Sequence, residues 1–203
     1  MKKFVIASAF ATLLLSLGGP SAQAAQIFAE NFDTTSTGTF NAISAVGNFN
    51  VTSGSVDVLG GSFFGFLCTG AATGNCVDLS GNSAGTLSSG SLALNAGNFT
   101  LAFVLNGSQR GVTTSTTVSL GSLFSNTFVL ASSDLNSFSF PITVPSNTTA
   151  VLSFVSNTPG GTGAVLDNVS LNSITATPEP ATMGLLGSAL VGLGLLKFRS
   201  KKS

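Results

Sequence analysis

The chain has 203 residues, seven Lys and Arg against seven Asp and Glu, 17 Phe, two Cys, and no His, Trp or Tyr. The neutral balance hides a segregation. Six of the seven bases (Lys2, Lys3, Lys197, Arg199, Lys201 and Lys202) lie at the two ends, which leaves Arg110 against Glu30, Asp33, Asp57, Asp78, Asp134 and Asp167 in between, a net charge of −5. A nucleic-acid role needs clustered Lys and Arg against phosphate and is excluded. The absence of histidine removes Ser-His-Asp, Cys-His and His-metal chemistry.

Taken in chain order, Lys2 and Lys3 precede an uncharged, largely apolar run over residues 4–17, broken by Gly18-Gly19-Pro20. Ala22-Gln23-Ala24 then supplies small residues at signal-peptidase spacing, so residues 1–24 are expected to be a signal peptide cut after Ala24, with Ala25 as the alternative. The exported region, 25–176, has the length of one domain with its own core.

That region is rich in Gly, Ser, Thr, Asn and Val, with too few charges for exposed amphipathic helices. Short alternating runs between turn residues predict a single all-β sandwich. Strands are expected at 26–32, 48–52, 55–59, 76–79, 85–87, 91–94, 99–105, 113–120, 127–130, 138–144, 150–156 and 164–174. In the run at 99–105, Phe99, Leu101, Phe103 and Leu105 share one face, and Thr100, Ala102 and Val104 the other. Asn106-Gly107 ends that strand, Ser53-Gly54 is expected to turn a hairpin, and Pro141 confines its strand to an edge or a bulge.

Cys68 and Cys76, with seven residues between them, are expected to form a structural disulfide in an exported domain. Phe63, Phe64 and Phe66 beside them offer the best aromatic patch for stacking on a sugar, with core filling as the alternative. Arg110 is expected to make one structural bidentate pair, with Asp78 or Asp57.

The chain closes on Pro178-Glu179-Pro180, a mostly apolar run at 181–196, and then Lys197, Arg199, Lys201 and Lys202. As a helix this run is just short of a hydrocarbon core, and the prolines mark its outer boundary. The basic end belongs in the cytoplasm, so a transmembrane helix is expected with the rest of the chain on the far side. This order of proline-glutamate-proline, apolar helix and basic end resembles the PEP-CTERM sorting signal of Gram-negative bacteria. The resemblance covers residues 177–203, with Pro178, Glu179, Pro180 and Arg199 as the matching positions. It implies recognition by exosortase, a membrane-embedded cysteine transpeptidase or protease, and passage through an inner-membrane intermediate to the cell surface or an exopolysaccharide matrix.

Four further strings resemble the cargo domains that often precede this signal: Glu30-Asn31-Phe32-Asp33, Gly74-Asn75-Cys76-Val77-Asp78-Leu79, Gly107-Ser108-Gln109-Arg110-Gly111, and Leu166-Asp167-Asn168-Val169-Ser170-Leu171. Such domains are similar to galactose-binding jelly rolls. The resemblance implies neighbouring first and last strands and a structural calcium there, with Glu30 and Asp167 as its ligands. Of the functions open to such a chain, a non-catalytic surface or matrix protein needs only export, a compact acidic domain and a sorting tail. A carbohydrate-binding module is the alternative.

Overall fold

The computed structural model describes residues 24–174. The expected signal peptide up to residue 23, the expected transmembrane segment 181–196 and the motif residues Pro178, Glu179, Pro180 and Arg199 lie outside them. Among the described residues no helix is long and apolar enough to cross a membrane.

The chain folds as fifteen strands: β1 (Gln26–Glu30), β2 (Gly38–Asn41), β3 (Ala45–Val46), β4 (Phe49–Ser53), β5 (Ser55–Leu59), β6 (Cys76–Asp78), β7 (Thr86–Ser89), β8 (Leu92–Leu94), β9 (Gly97–Asn106), β10 (Thr114–Leu120), β11 (Phe124–Leu130), β12 (Ser137–Val144), β13 (Thr148–Ala150), β14 (Leu152–Ser156) and β15 (Val165–Ile174). One sheet runs β12-β9-β15-β6-β5-β2, with β1 also on β15, and the other runs β11-β10-β14-β7-β4-β3. Strands β8 and β13 form a separate pair. Because the chain steps between the two main sheets at β2–β3, β4–β5, β6–β7, β9–β10, β11–β12 and β14–β15, the result is a jelly-roll sandwich.

Alternation writes the layers. In β10 every second residue is buried, and in β9 the inward set is Phe99, Leu101, Phe103 and Leu105, as its spacing predicts. Rings from opposite sheets meet edge to face at the centre, Phe28 on Phe49 at 4.9 Å and Phe103 on Phe154 at 5.3 Å between centroids. Each such pair adds about 0.5–1.5 kcal/mol beyond the area it buries.

A second, smaller core lies on the outer face of the first sheet. Val104 and Val165 face away from the main core but are buried against Leu59, Leu67, Ala72 and Cys76. The loop between β5 and β6 supplies this cover through a single 3-10 turn, Gly65–Leu67, and a Cys68–Cys76 disulfide ties it to β6.

Several expectations need correction. Gly54 does not turn a hairpin: β4 pairs with β3 and β7, whereas β5 pairs with β2 and β6, so the chain changes sheets there. Gly54 has φ +62°, and a Cβ on it would overlap the Ala84 carbonyl oxygen, so the left-handed crossover has no room for a side chain. The first strand stops at Glu30 instead of residue 32, because Phe32 turns with φ +59°. The run at 150–156 is two strands, since β13 pairs with β8 and β14 with β10 and β7. Short β2 and β3 had no alternating run long enough to announce them. Pro141 sits on β12, which ends its sheet, as a strand missing one N–H donor must.

Candidate functional site

The first and last strands are neighbours. β15 pairs with β6 at residues 165–166 and with β1 from Val169 onward. The change of partner coincides with a register shift against β9 between Asp167 and Ser170, where Asn168 adopts φ +49°. Two of the expected residues flank this break, each held by a different segment. Glu30 pairs with Val169 and is buried; its Oε1 accepts the Phe32 N–H at 2.7 Å and its Oε2 the Asn48 N–H at 2.6 Å. Asp167 is also buried; its Oδ1 accepts the Asn168 N–H at 2.7 Å and its Oδ2 the Thr73 N–H at 3.0 Å. Burial raises the Asp167 carboxyl to about 6, opposed by those two N–H donors and reinforced by the charges of Asp33 and Glu30.

Beside the break opens a polar cleft of about 480 Å³, lined by Glu30, Asn31, Thr34, Asn48 and Asn168 among others. Calcium takes six to eight oxygens. Among the described residues no group of three His, Cys, Asp or Glu side chains gathers that could hold a metal. Glu30 and Asp167 would be the anionic ligands of such an ion, and each of their four oxygens already accepts a backbone N–H.

The three phenylalanines divide. Phe63 packs against the smaller core, while Phe64 is 48 % and Phe66 73 % exposed, with their ring centroids 6.2 Å apart. Phe64 is held at φ +52°, a conformation that costs an L-residue about 1–2 kcal/mol. The disulfide and the buried Leu67 fix the loop that imposes it.

Arg110 pairs with Asp78, one of its two expected partners, through a single Nη2–Oδ2 contact and not a bidentate fork. The other Asp78 oxygen is already taken, since Oδ1 accepts the N–H groups of Ser80 at 2.9 Å and Gly163 at 2.8 Å. Burial raises the Asp78 carboxyl to about 6, partly offset by these two N–H groups and by Arg110.

One surface was not anticipated. Strands β3, β4, β7, β10, β11 and β14 contain no Asp, Glu, Lys or Arg. On the outer face of this sheet the register aligns Asn50, Ser88, Ser153, Ser119 and Ser125 straight across five strands. Hydroxyls bond from strand to strand: Thr52 to Ser88 at 3.2 Å, Ser88 to Ser153 at 3.0 Å and Thr117 to Thr127 at 2.9 Å. The alternation of hydroxyls is visible in the sequence of β10, but their alignment depends on a register that the sequence does not display.

With the geometry in place, comparison with known proteins decides the character of the tail. The chain carries a PEP-CTERM protein-sorting motif. It matches residues 176–202. The motif implies export through a membrane-anchored intermediate to the surface and processing by an exosortase-type enzyme. No curated protein matches the chain in sequence. Among solved structures, the sandwich is similar to the CBM22-1 xylan-binding domain of Xyn10C from Paenibacillus barcinonensis (9 % identity, 76 % of this chain and 97 % of that one, TM-score 0.47). It is also similar to the K1 cleaved adhesin domain of Lys-gingipain from Porphyromonas gingivalis (13 %, 73 % and 98 %, 0.46). A third similarity is to an exo-β-1,3-galactanase from Phanerochaete chrysosporium (18 %, TM-score 0.41), where 74 % of this chain spans only 29 % of that one.

Proposed function

We propose that the protein is a non-catalytic component of the cell surface or exopolysaccharide matrix of a Gram-negative bacterium, delivered by its sorting motif. The observation that carries this reading is the motif at residues 176–202 behind a compact sandwich that closes by Ile174. In this reading signal peptidase cuts after Ala24, the inner membrane holds the chain through residues 181–196, and the exosortase-type enzyme releases it near Pro178-Glu179-Pro180. Intact mass of the surface form tests it. Loss of Lys197 and everything beyond it is expected; a surface form that keeps those residues contradicts it.

Carbohydrate binding is a second reading, favoured by the exposed rings of Phe64 and Phe66. Phe can stack on a sugar face, although it lacks the polar edge of Trp and Tyr. Binding on a glycan array that disappears in Phe64→Ala supports this role, and an array without signal removes it. A structural calcium at Glu30 and Asp167 is proposed alongside. Both carboxylates are buried beside the strand break, and the domain's single base is engaged elsewhere, with Asp78. A melting temperature that falls on chelation and returns with calcium is expected; indifference to both removes the ion.

A further inference from the structure

We infer that β11 is a homotypic docking edge, through which two copies of the protein pair antiparallel about a two-fold axis centred on Thr127. β11 ends its sheet, with β10 as its one strand partner among the described residues. A terminal strand presents a row of unpaired N–H and C=O groups that can template a further strand unless it is blunted by charge, proline or shortness. The other open strands are blunted. β12 carries Pro141, β2 has four residues and β3 two, β8 and β13 have three each, and β1 ends on the buried carboxylate of Glu30. β11 has seven residues, Phe124-Ser125-Asn126-Thr127-Phe128-Val129-Leu130, with neither charge nor proline. It is also uncovered: Ser125, Asn126, Thr127 and Val129 are exposed, Val129 at 69 %.

The occupant follows from charge and symmetry. The domain carries −5, yet no charge lies on any strand of this sheet, so a second copy is the partner that meets no like charge strand to strand. Asp134, the nearest acid along the chain, is held in the following turn by the Ala131 N–H at 2.8 Å, and a two-fold axis puts the two copies of it at opposite ends of the pair. Pairing all seven residues sets Thr127 opposite Thr127, Asn126 opposite Phe128, Ser125 opposite Val129 and Phe124 opposite Leu130. This register keeps the sandwich face matched to the sandwich face, as antiparallel pairing requires. It extends two six-stranded sheets into one of twelve and carries the hydroxyl rows across the join. Because the remaining edges are blunted, the assembly closes at two copies and does not grow into a fibre.

Directly opposed residues in an antiparallel pair have Cα atoms about 4.5–5.5 Å apart, within reach of a disulfide. The two native cysteines of the described domain are bonded to each other, so one added thiol reports cleanly. Full-length Thr127→Cys, oxidised in detergent solution, is expected to give a crosslinked dimer several-fold more abundant than Asn50→Cys on the same face or Thr143→Cys on β12. Adding Ser125→Lys and Val129→Lys to Thr127→Cys is expected to reduce crosslinking to the level of those controls. Both lysines replace exposed side chains, and intact thermal unfolding shows that the fold survives them. Crosslinking at position 127 no greater than in the controls, or unaffected by the two lysines, overturns the inference.

Discussion

Removing the Arg110 guanidinium should expose how much the interior depends on the one ion pair among the described residues. In Arg110→Met, Asp78 keeps its two N–H donors but loses its counter-charge while remaining buried. Breaking a fully buried pair costs about 3–5 kcal/mol. Arg110 is 30 % exposed and solvent screens part of the attraction, so about 2–3 kcal/mol is the expected loss near pH 7.5. For a domain of this size that lowers the melting temperature by roughly 5–10 °C. The pH dependence has a definite sign. The Asp78 carboxyl stands at about 6, above its ordinary 3.8, so the folded state binds the proton more tightly than the unfolded chain. Its contribution to stability therefore grows as pH falls from about 6 toward 4 and is lost as pH rises through that window. Near pH 5 the carboxyl is mostly protonated in the native protein and has no charge for Arg110 to balance. The variant should there lie within about 1 kcal/mol of the parent. Calorimetric unfolding of both proteins at the two pH values checks this; a loss larger at pH 5 than at pH 7.5 would refute the ion-pair account.

Replacing both cysteines, Cys68→Ser with Cys76→Ser, should cost about 2–3 kcal/mol in thermal unfolding, the loop-closure entropy of a bridge this short. Gly54→Ala should cost about 2–5 kcal/mol, combining a left-handed backbone with overlap on the Ala84 carbonyl, and a urea midpoint unchanged from the parent would show that the crossover can relax. The buried Thr116 hydroxyl has no hydrogen-bond partner, so Thr116→Val, equal in shape, should stabilise by about 1 kcal/mol in the same urea assay.

What the sequence discloses here follows the length of each pattern. Long alternating runs such as β9 and β10 were legible because one face must be apolar over several residues. Two-residue β3 and four-residue β2 were not, since they are strands only because β4 and β5 lie beside them. Ser53-Gly54 looked like a hairpin because positive φ serves a tight turn and a change of sheet equally well; the Ala84 carbonyl that distinguishes them is thirty residues away in the chain. Glu30 and Asp167 were singled out only by the motifs around them, whereas Asn48, whose N–H holds Glu30, carries no local signature. The phenylalanine cluster divided because Phe63 finds the smaller core, which exists only once the loop folds back over Val104 and Val165. The ordered hydroxyls of the second sheet needed pairings between strands as distant as β4 and β7 or β10 and β14.

The union of first and last strands also has a mechanical side. The Ala25 N–H reaches Ser173 Oγ at 3.1 Å, and the Ser173 N–H reaches the Ala25 carbonyl at 2.8 Å, so the chain enters and leaves the sandwich at one pole. Tension delivered through the tail acts along β15, the ten-residue strand laid between β9 on one flank and β1 and β6 on the other. Rows of interstrand bonds on both sides then resist sliding together and do not open one after another. A domain pulled from its carboxyl end would therefore hold its shape under loads that unzip a hairpin.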